Sequence, residues 1–483
     1  MPIVIKNNFG GGHAEDLRTF ATNESEYSQN FDIFTNSHYL QPYPNTTAET
    51  VTGGTITDHK MSDVIDGISL SGDTYIGLGQ AGLSDANLKF FSKSDVGGAW
   101  TKRAEDTSGS VINGTLVGYK GYAYALKGQG SDVQLLELTN SSTITSRGTI
   151  SNETTACKPF VHPEDNILYG GCGDTLWKWD GSSFTTYTSL LPTGTIVTSL
   201  TSYGTYLVIA IRTLEGKALA YLWGRDGTIN TFQGLIPFGK GNLNVVENLG
   251  DIIVGIVTTT DATSITDKIY VKVWSGGEAQ TIKEIDASFT GTANSILKAE
   301  SKNKLYFTYG SANCIYVVGK NKEGQWVVSK DRYIDNGGTP SSVRGFSVID
   351  DYFWIGYINT SLDNVFYRTS AGSYTSTSVY RTTINPNMPI EDRYKNKQLK
   401  AVQLSYTGAS SGTTVLKYSV DGSAMTILIS DTNATGEKTT IATNEYTDAL
   451  PLLTGREFQF QIECTGGTKI KEIKYKYDNL NEI

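Results

Sequence analysis

Two glycine-spaced passages in this chain have the geometry that nucleotide chemistry would require. Gly77-Leu-Gly-Gln-Ala-Gly82 carries the pattern that brings backbone N–H groups and a helix N-terminus against a pyrophosphate. The segment that follows, Leu88-Lys-Phe-Phe91, reads as a strand, so no helix end would face the phosphates. Gly234-Leu-Ile-Pro-Phe-Gly239-Lys240 has the spacing of a phosphate-cradling loop. Gly241 stands where a magnesium-binding Ser or Thr is needed, Pro237 removes a donor from the cradle, and Asn242-Leu-Asn-Val-Val again reads as a strand. Both passages are read as turns between strands, and no cofactor is expected.

Hydrolytic chemistry has equally thin support. Asp95-Val-Gly-Gly-Ala-Trp100 resembles the Asp-box turn of sialidase-type propellers, with Lys93 where that motif has Ser. In that family the turn holds a hairpin, so the resemblance implies a structural role. A sialidase-like site also needs three arginines around a carboxylate and a Tyr/Glu pair, and Arg212, Arg344, Arg368 and Arg381 are single residues on repeats, of the kind chance supplies. Strand-end carboxylates can still converge from distant repeats for glycoside hydrolysis. His13, His38, His59 and His162 show no ligand spacing, and Cys157, Cys172, Cys314 and Cys464 form no C-x-x-C pair, so a zinc site has little to draw on. The thiols are expected to be reduced and mostly buried. Trp177, Trp179, Tyr187, Trp223 and Trp354 would suit a sugar-stacking surface, but repeat packing consumes aromatics in the same way and is preferred. The expectation is a binding or assembly protein, not an enzyme, with no catalytic residues and no metal.

The elements that would position any site are strands. Of 483 residues only 18% are charged, and 51 Gly and 28 Tyr accompany many Thr and Ser, a composition that favours short strands and turns over helices. The net charge of −9 is spread along the chain, and no basic stripe exists to neutralise a phosphate backbone, so direct nucleic-acid binding is not expected. No run of about 18 apolar residues suggests a membrane span. The opening MPIVIKNNFGGG has too short an apolar run for a signal-peptide core, so synthesis in the cytosol is expected.

A strand that opens on a turn residue and continues in β-branched or aromatic residues recurs seven times. The copies begin at Asp73, Gly121, Asp165, Gly204, Gly250, Asn303 and Asp351. Their third residues, Tyr75, Ala123, Ile167, Tyr206, Ile252, Leu305 and Phe353, are spaced by 39 to 53 residues, a blade-sized period. Most copies are followed by a second apolar strand and a turn with Asp-Gly or Gly-Gly, which supplies the positive φ of a tight hairpin; Leu176-Trp-Lys-Trp-Asp-Gly-Ser-Ser-Phe184 is one case. A sheet of this size cannot bury both faces alone, and radial closure leaves only short edges. A linear solenoid would have shorter rungs without such hairpins. The fold predicted is all-β: a seven-bladed β-propeller over 56–387, a C-terminal β-sandwich over 388–483 and an extended N-terminal arm over 1–55.

The sandwich rests on alternation. Leu399–Tyr406, Thr414–Val420, Met425–Ser430, Glu457–Glu463 and Ile470–Tyr477 alternate apolar and polar residues, the mark of strands with one wet face. Asn385-Pro-Asn-Met-Pro389 marks the boundary, since prolines stop strand pairing. In the arm, Phe9, Phe31, Ile33, Phe34 and Leu40 lie among polar residues, too apolar for a free tail and too few for a core. They are read as anchors on another surface, and as the candidate subunit interface.

Three passages together resemble virion proteins of tailed bacteriophages, in particular the propeller-plus-sandwich components of the tail hub or nozzle. They are Asn8-Phe-Gly-Gly-Gly-His-Ala-Glu-Asp16, the run from Tyr27 through Asn36 to Tyr39-Leu-Gln-Pro-Tyr43, and the tail with Lys417-Tyr-Ser-Val-Asp-Gly422 and Ile470-Lys-Glu-Ile-Lys-Tyr475. The resemblance implies a structural subunit of the virion tail, made in the host cytoplasm, that forms a homo-oligomeric ring. Its partners would be other virion subunits: a tail adaptor or tube, and fibres. No catalytic residue carries over. The chain is lean for a nozzle protein, which keeps open a receptor-binding propeller that binds or cleaves a host surface glycan in a sialidase-like way.

Overall fold

The computed structural model describes residues 3–6, 25–29, 31–32, 41–42, 46–49 and most of 59–480. Within that last span, 69–72, 82–86, 226–231, 260–266, 288–295, 310–313, 321–323, 334–339, 350–351, 360–363, 370–376, 410–411, 433–435, 444–452 and the single residues 113, 141, 189, 302, 383, 387 and 393 fall outside it. Statements below concern the described residues. Among them the protein is all-β: apart from a short 3-10 turn at Ile390–Asp392, every regular element is a strand. The chain divides into two compact units, one built from 46–313 and 334–369, the other from 1–45, 314–333 and 370–483.

The larger unit is a β-propeller type of succession, in which antiparallel sheets follow one another along the chain. His59–Ile65, Tyr75–Ala81, Leu88–Lys93 and Thr101–Asp106 form one sheet in chain order. A five-stranded sheet over 110–150 comes next, followed by four-stranded sheets over 160–187, 196–240 and 242–287 and by the hairpin Ile296–Ser301 with Lys304–Tyr309. The last sheet, Pro340–Ile349, Tyr352–Asn359 and Asn364–Thr369, takes its fourth strand from far upstream: Thr46–Ala48 pairs with Asn364–Thr369, Thr47 opposite Arg368. Nothing in the sequence of Thr46–Ala48 announces a strand.

Each of the seven recurring segments lies on the second strand of an antiparallel hairpin. These strands are buried on both faces, which is why they read as apolar runs instead of alternating. Tyr122–Gln129, Tyr206–Arg212 and Ile253–Thr259 each bury five or more consecutive residues. Turn chemistry fixes the outer hairpins, as between Thr175–Trp179 and Phe184–Tyr187. Asp180 accepts from the N–H groups of Ser182 and Ser183 at 2.7 Å each, which holds its carboxyl at about 2, while Gly181 takes φ +96°.

Sheet-to-sheet contacts tie the succession together. The Thr198 hydroxyl donates to Leu243 O at 2.7 Å, and at the other end Val64 N donates to Ser347 Oγ at 2.9 Å, so the last sheet meets the first. His162, wholly buried, is part of the same framework: its Nε2–H points at Tyr206 O (3.2 Å) and its Nδ1 accepts from Glu164 N (3.3 Å). Burial pushes its pKa below the ordinary value, with Arg225 adding to the depression and Asp165 and Glu164 opposing it. The unfolded chain therefore takes up a proton first as pH falls, so stability is full above about pH 6.5 and is lost below it, by at most about 1.4 kcal/mol per pH unit. A pH series of denaturation midpoints is expected to show this loss in the wild type and a flatter profile in His162→Gln.

In the smaller unit two five-stranded sheets carry most of the chain. One holds Ile3–Lys6, Lys469–Asn479, Lys397–Gly408, Gly436–Thr443 and Leu453–Gly455; the other holds Ser25–Gln29, Ser378–Thr382, Phe458–Cys464, Thr413–Val420 and Thr426–Thr432. Phe460 of one sheet packs on Tyr475 of the other, with ring centroids 5.2 Å apart. The strand Ser378–Thr382 lies before the boundary expected at 387/388 yet pairs with Phe458–Cys464. Two segments of the expected arm are strands here, Ile3–Lys6 opposite Lys476–Ile473 and Ser25–Gln29 beside Ser378–Thr382. The loop following Ser378–Thr382 is held by Asp392, whose carboxylate takes bonds from Tyr477, Asn479 and Lys395.

Candidate functional site

The larger unit contains two constellations of charged side chains. The first is a buried clasp around Glu49, the residue just after Thr46–Ala48, whose backbone N donates to Phe366 O at 3.0 Å. Its Oε1 accepts from Arg368 Nε at 2.7 Å, and its Oε2 accepts from Trp100 Nε1 at 2.7 Å and from Lys93 Nζ. Arg368 belongs to the last sheet, Lys93 and Trp100 to the first, so one carboxylate joins both ends of the succession. Lys93 Nζ also lies 4.8 Å from the Trp100 ring and donates to Val96 O at 3.0 Å. Burial holds the Lys93 pKa below its usual range despite the carboxylate beside it.

The Asp-box-like turn is the other half of this clasp. Gly97 N donates to Asp95 Oδ1 at 2.7 Å and Gly98 N to Asp95 O at 3.3 Å, which turns the chain so that Trp100 is driven fully into the core. The turn positions Trp100 and Lys93 against Glu49, a packing role.

The second constellation surrounds a cavity of about 390 Å³. Asp63, Lys158, Arg212, Asn244, Lys298 and Phe346 are among its walls, drawn from sheets all along the unit. Lys298 Nζ is fully engaged, donating to Val246 O (2.8 Å), Leu200 O (3.1 Å) and Glu247 Oε2 (2.9 Å). Asp63 accepts from Gly114 N at 2.7 Å. Arg212 gives one bond, Nη2 to Asn244 Oδ1 at 3.3 Å, and its buried Nε has no partner. Burial alone lowers the Arg212 pKa.

The passages singled out in the sequence fall as follows. Gly77 to Ala81 belong to a strand that pairs with Leu88–Lys93, and 234–240 lie in the extended strand Phe232–Lys240, followed directly by Asn242–Asn248. Neither forms a phosphate cradle before a helix, and neither is the turn expected from its glycines: Gly77 to Ala81 and 234–240 are extended strand, paired along their length. Trp177, Trp179, Tyr187, Trp223 and Trp354 are all buried, so they pack between sheets and offer no sugar-stacking face. The four cysteines are buried free thiols, and burial pushes Cys157 up to about 11. Among the described residues no three His, Cys, Asp or Glu side chains stand together as a metal site, and no helix is long and apolar enough to cross a membrane. Of the candidate interface residues, Phe9, Ile33, Phe34 and Leu40 lie outside the described residues; Phe31 is described only as backbone, opposite Pro42 in a two-stranded pairing.

Glu49, Asp63, Lys158 and Lys298 were not legible as site residues, and Arg212 only as an isolated arginine. One signal existed: Lys298 is a lone charge inside the otherwise apolar run Ile296-Leu-Lys-Ala299. An inner strand tolerates such a charge only if something at the centre receives it.

No family model matches the chain, and no curated protein does. Among solved structures it is similar to the exo-β-1,3-galactanase of Phanerochaete chrysosporium with galactose (10% identity over 90% of this chain and 100% of that one, TM-score 0.32). It is also similar to the β-propeller domain of Cps50 (Swd1) from Myceliophteria thermophila (10% identity, 68% and 100% of the two chains, TM-score 0.42). It is similar as well to the WD40 domain of Toxoplasma gondii coronin (10% identity, 68% and 86% of the two chains, TM-score 0.41).

Proposed function

We propose that the chain is a structural, non-catalytic subunit of a tailed-phage virion, a tail hub or nozzle-type protein that assembles in a symmetric ring. In this reading the larger unit is a seven-bladed β-propeller, with 296–309 as the inner half of the sixth blade. The two five-stranded sheets are the C-terminal β-sandwich. The observation that carries the reading is the N-terminal stretch, which supplies edge strands to both five-stranded sheets and, through Thr46–Ala48 and Glu49, closes the propeller. A ring closed by a strand from elsewhere in the chain opens only if that strand unpairs, which suits a part that must hold its shape in a particle.

The carboxylates described in the larger unit support a scaffold in the same way. Glu137 receives Tyr124 and Arg147, and Asp165 receives Tyr169 and Arg225, so these acids spend their bonds joining strands. Phe9, Phe31, Ile33, Phe34 and Leu40 are proposed as the contact with a neighbouring subunit, on their sequence context alone.

Native mass measurement of the purified chain, together with antibody labelling of purified virions, tests the proposal. A closed oligomer and label at the tail are expected, and changing Phe31 and Phe34 to Ser is expected to weaken assembly without lowering the melting temperature. A monomer that is absent from particles would sink the proposal. Turnover of a host polysaccharide, abolished by one Asp, Glu or Tyr substitution, would replace it with the glycan-cleaving alternative.

A further inference from the structure

We infer that the cavity at the centre of the larger unit is a binding site for a small organic oxyanion, a carboxylate or phosphate, held by Arg212 and Lys158. This goes beyond the assembly role and does not depend on it. Four observations converge. The cavity, about 390 Å³, lies within the size range of small-molecule sites, roughly 300–1,000 Å³. Its charge is unbalanced: Lys298 is matched by Glu247, and Asp63, whose charge acts on Lys158, is then the carboxylate left among the described walls against the two cations Lys158 and Arg212.

The third observation is the state of the two cations. Lys158 makes no hydrogen bond or ion pair among the described residues, and burial holds its ammonium below the ordinary range, with Asp63 and Glu247 opposing and Lys298 adding to the effect. Arg212 Nε is buried without a partner, and no carboxylate pairs with its guanidinium among the described residues. A guanidinium offers five donors in a planar fork that fits a carboxylate or phosphate edge, and Lys158 and Arg212 are half-buried cations whose partial desolvation is a cost when no counter-charge sits beside them. An oxyanion removes that cost. The fourth observation is the remaining wall: the Thr198 and Ser199 hydroxyls are committed to Leu243 O and Val246 O, and Val197, Val245 and Phe346 supply an apolar surface, so the site suits an anionic group, held by the cations, on a small organic body.

Calorimetry on the full chain at low ionic strength tests this with inorganic phosphate, glucuronate and, as an uncharged control, glucose. Saturable binding of phosphate, glucuronate or both is expected, and the pattern distinguishes the two sources of the anion; glucose is expected not to bind. Arg212→Gln and Lys158→Gln are each expected to weaken binding at least tenfold. Because these variants remove an uncompensated charge, their unfolding midpoints without anion are expected to match or exceed that of the wild type. A second measurement needs no variant: the bound anion is expected to raise the wild-type melting temperature in a saturable way. Failure of the wild type to bind or be stabilised by either anion overturns the inference, as does undiminished binding in the folded double variant Lys158→Gln/Arg212→Gln.

Discussion

Replacing Glu49 with Ala is expected to destabilise the larger unit by about 3–5 kcal/mol, the cost of removing one partner from a buried ion pair. The reason lies in what remains. Lys93 and Arg368 would be left in the core with no carboxylate, and the Trp100 indole N–H would lose its acceptor. Glu49 side-chain exposure is 3% and Lys93 side-chain exposure is 0%, so water does not replace the lost charge. Glu49→Gln keeps an acceptor for Trp100 but not the charge, and it is expected to lose most of the same stability. Changing Glu49, Lys93 and Arg368 together to Met should recover much of the loss, since an apolar replacement of a whole buried ionic group is often neutral. Urea unfolding followed by tryptophan fluorescence measures this, because Trp100 and Trp354 flank the clasp. A loss under about 1 kcal/mol, the range of an exposed pair, would show that Glu49 does not hold the two ends together.

The part of this architecture that could be read in the sequence is the part set by local burial. Second strands packed on both faces become apolar runs, and their turn residues set the period, so Tyr206–Arg212 and Ile253–Thr259 stand out unaided. Alternation in Lys397–Gly408 and Lys469–Asn479 is legible for the converse reason, one face buried and one not. What escapes is anything decided by a partner far along the chain. Thr46–Ala48 is a strand because Asn364–Thr369 offers an edge, and Glu49 is buried because two cations from opposite ends of the unit await it. The cavity escapes likewise: Lys158 follows Cys157 in an ordinary-looking loop, and only the convergence of distant sheets places it beside Lys298. The Asp-box resemblance pointed to a structural turn, and the bonds of Asp95 show the local geometry behind it.

Gly356→Val is expected to be the most disruptive single change at the junction of the last sheet and the first. A Cβ built on Gly356 would lie 2.0 Å from the carbonyl oxygen of Met61, a backbone atom of His59–Ile65. That strand cannot retreat freely, because Met61 is paired with Gly79 and Val64 N is bonded to Ser347 Oγ. Gly77 provides the control. Its Cβ would meet the Met61 side-chain tip at 2.5 Å and the Trp100 ring at 3.1 Å, and a methionine tip can swing away. Overpacking a closed interior costs about 1–3 kcal/mol and occasionally more. Gly356→Ala is therefore expected at or above the top of that range and Gly356→Val beyond it, with Gly77→Ala near the bottom. The order can be read from denaturation midpoints of the three variants beside Glu49→Ala, whose loss should not add fully to that of Gly356→Ala, because both act on one junction. If Gly356→Ala matched the wild type while Gly77→Ala did not, the two sheets could not be as close there as a shared glycine contact requires, and closure would have to rest on the Glu49 clasp and the strand Thr46–Ala48 alone.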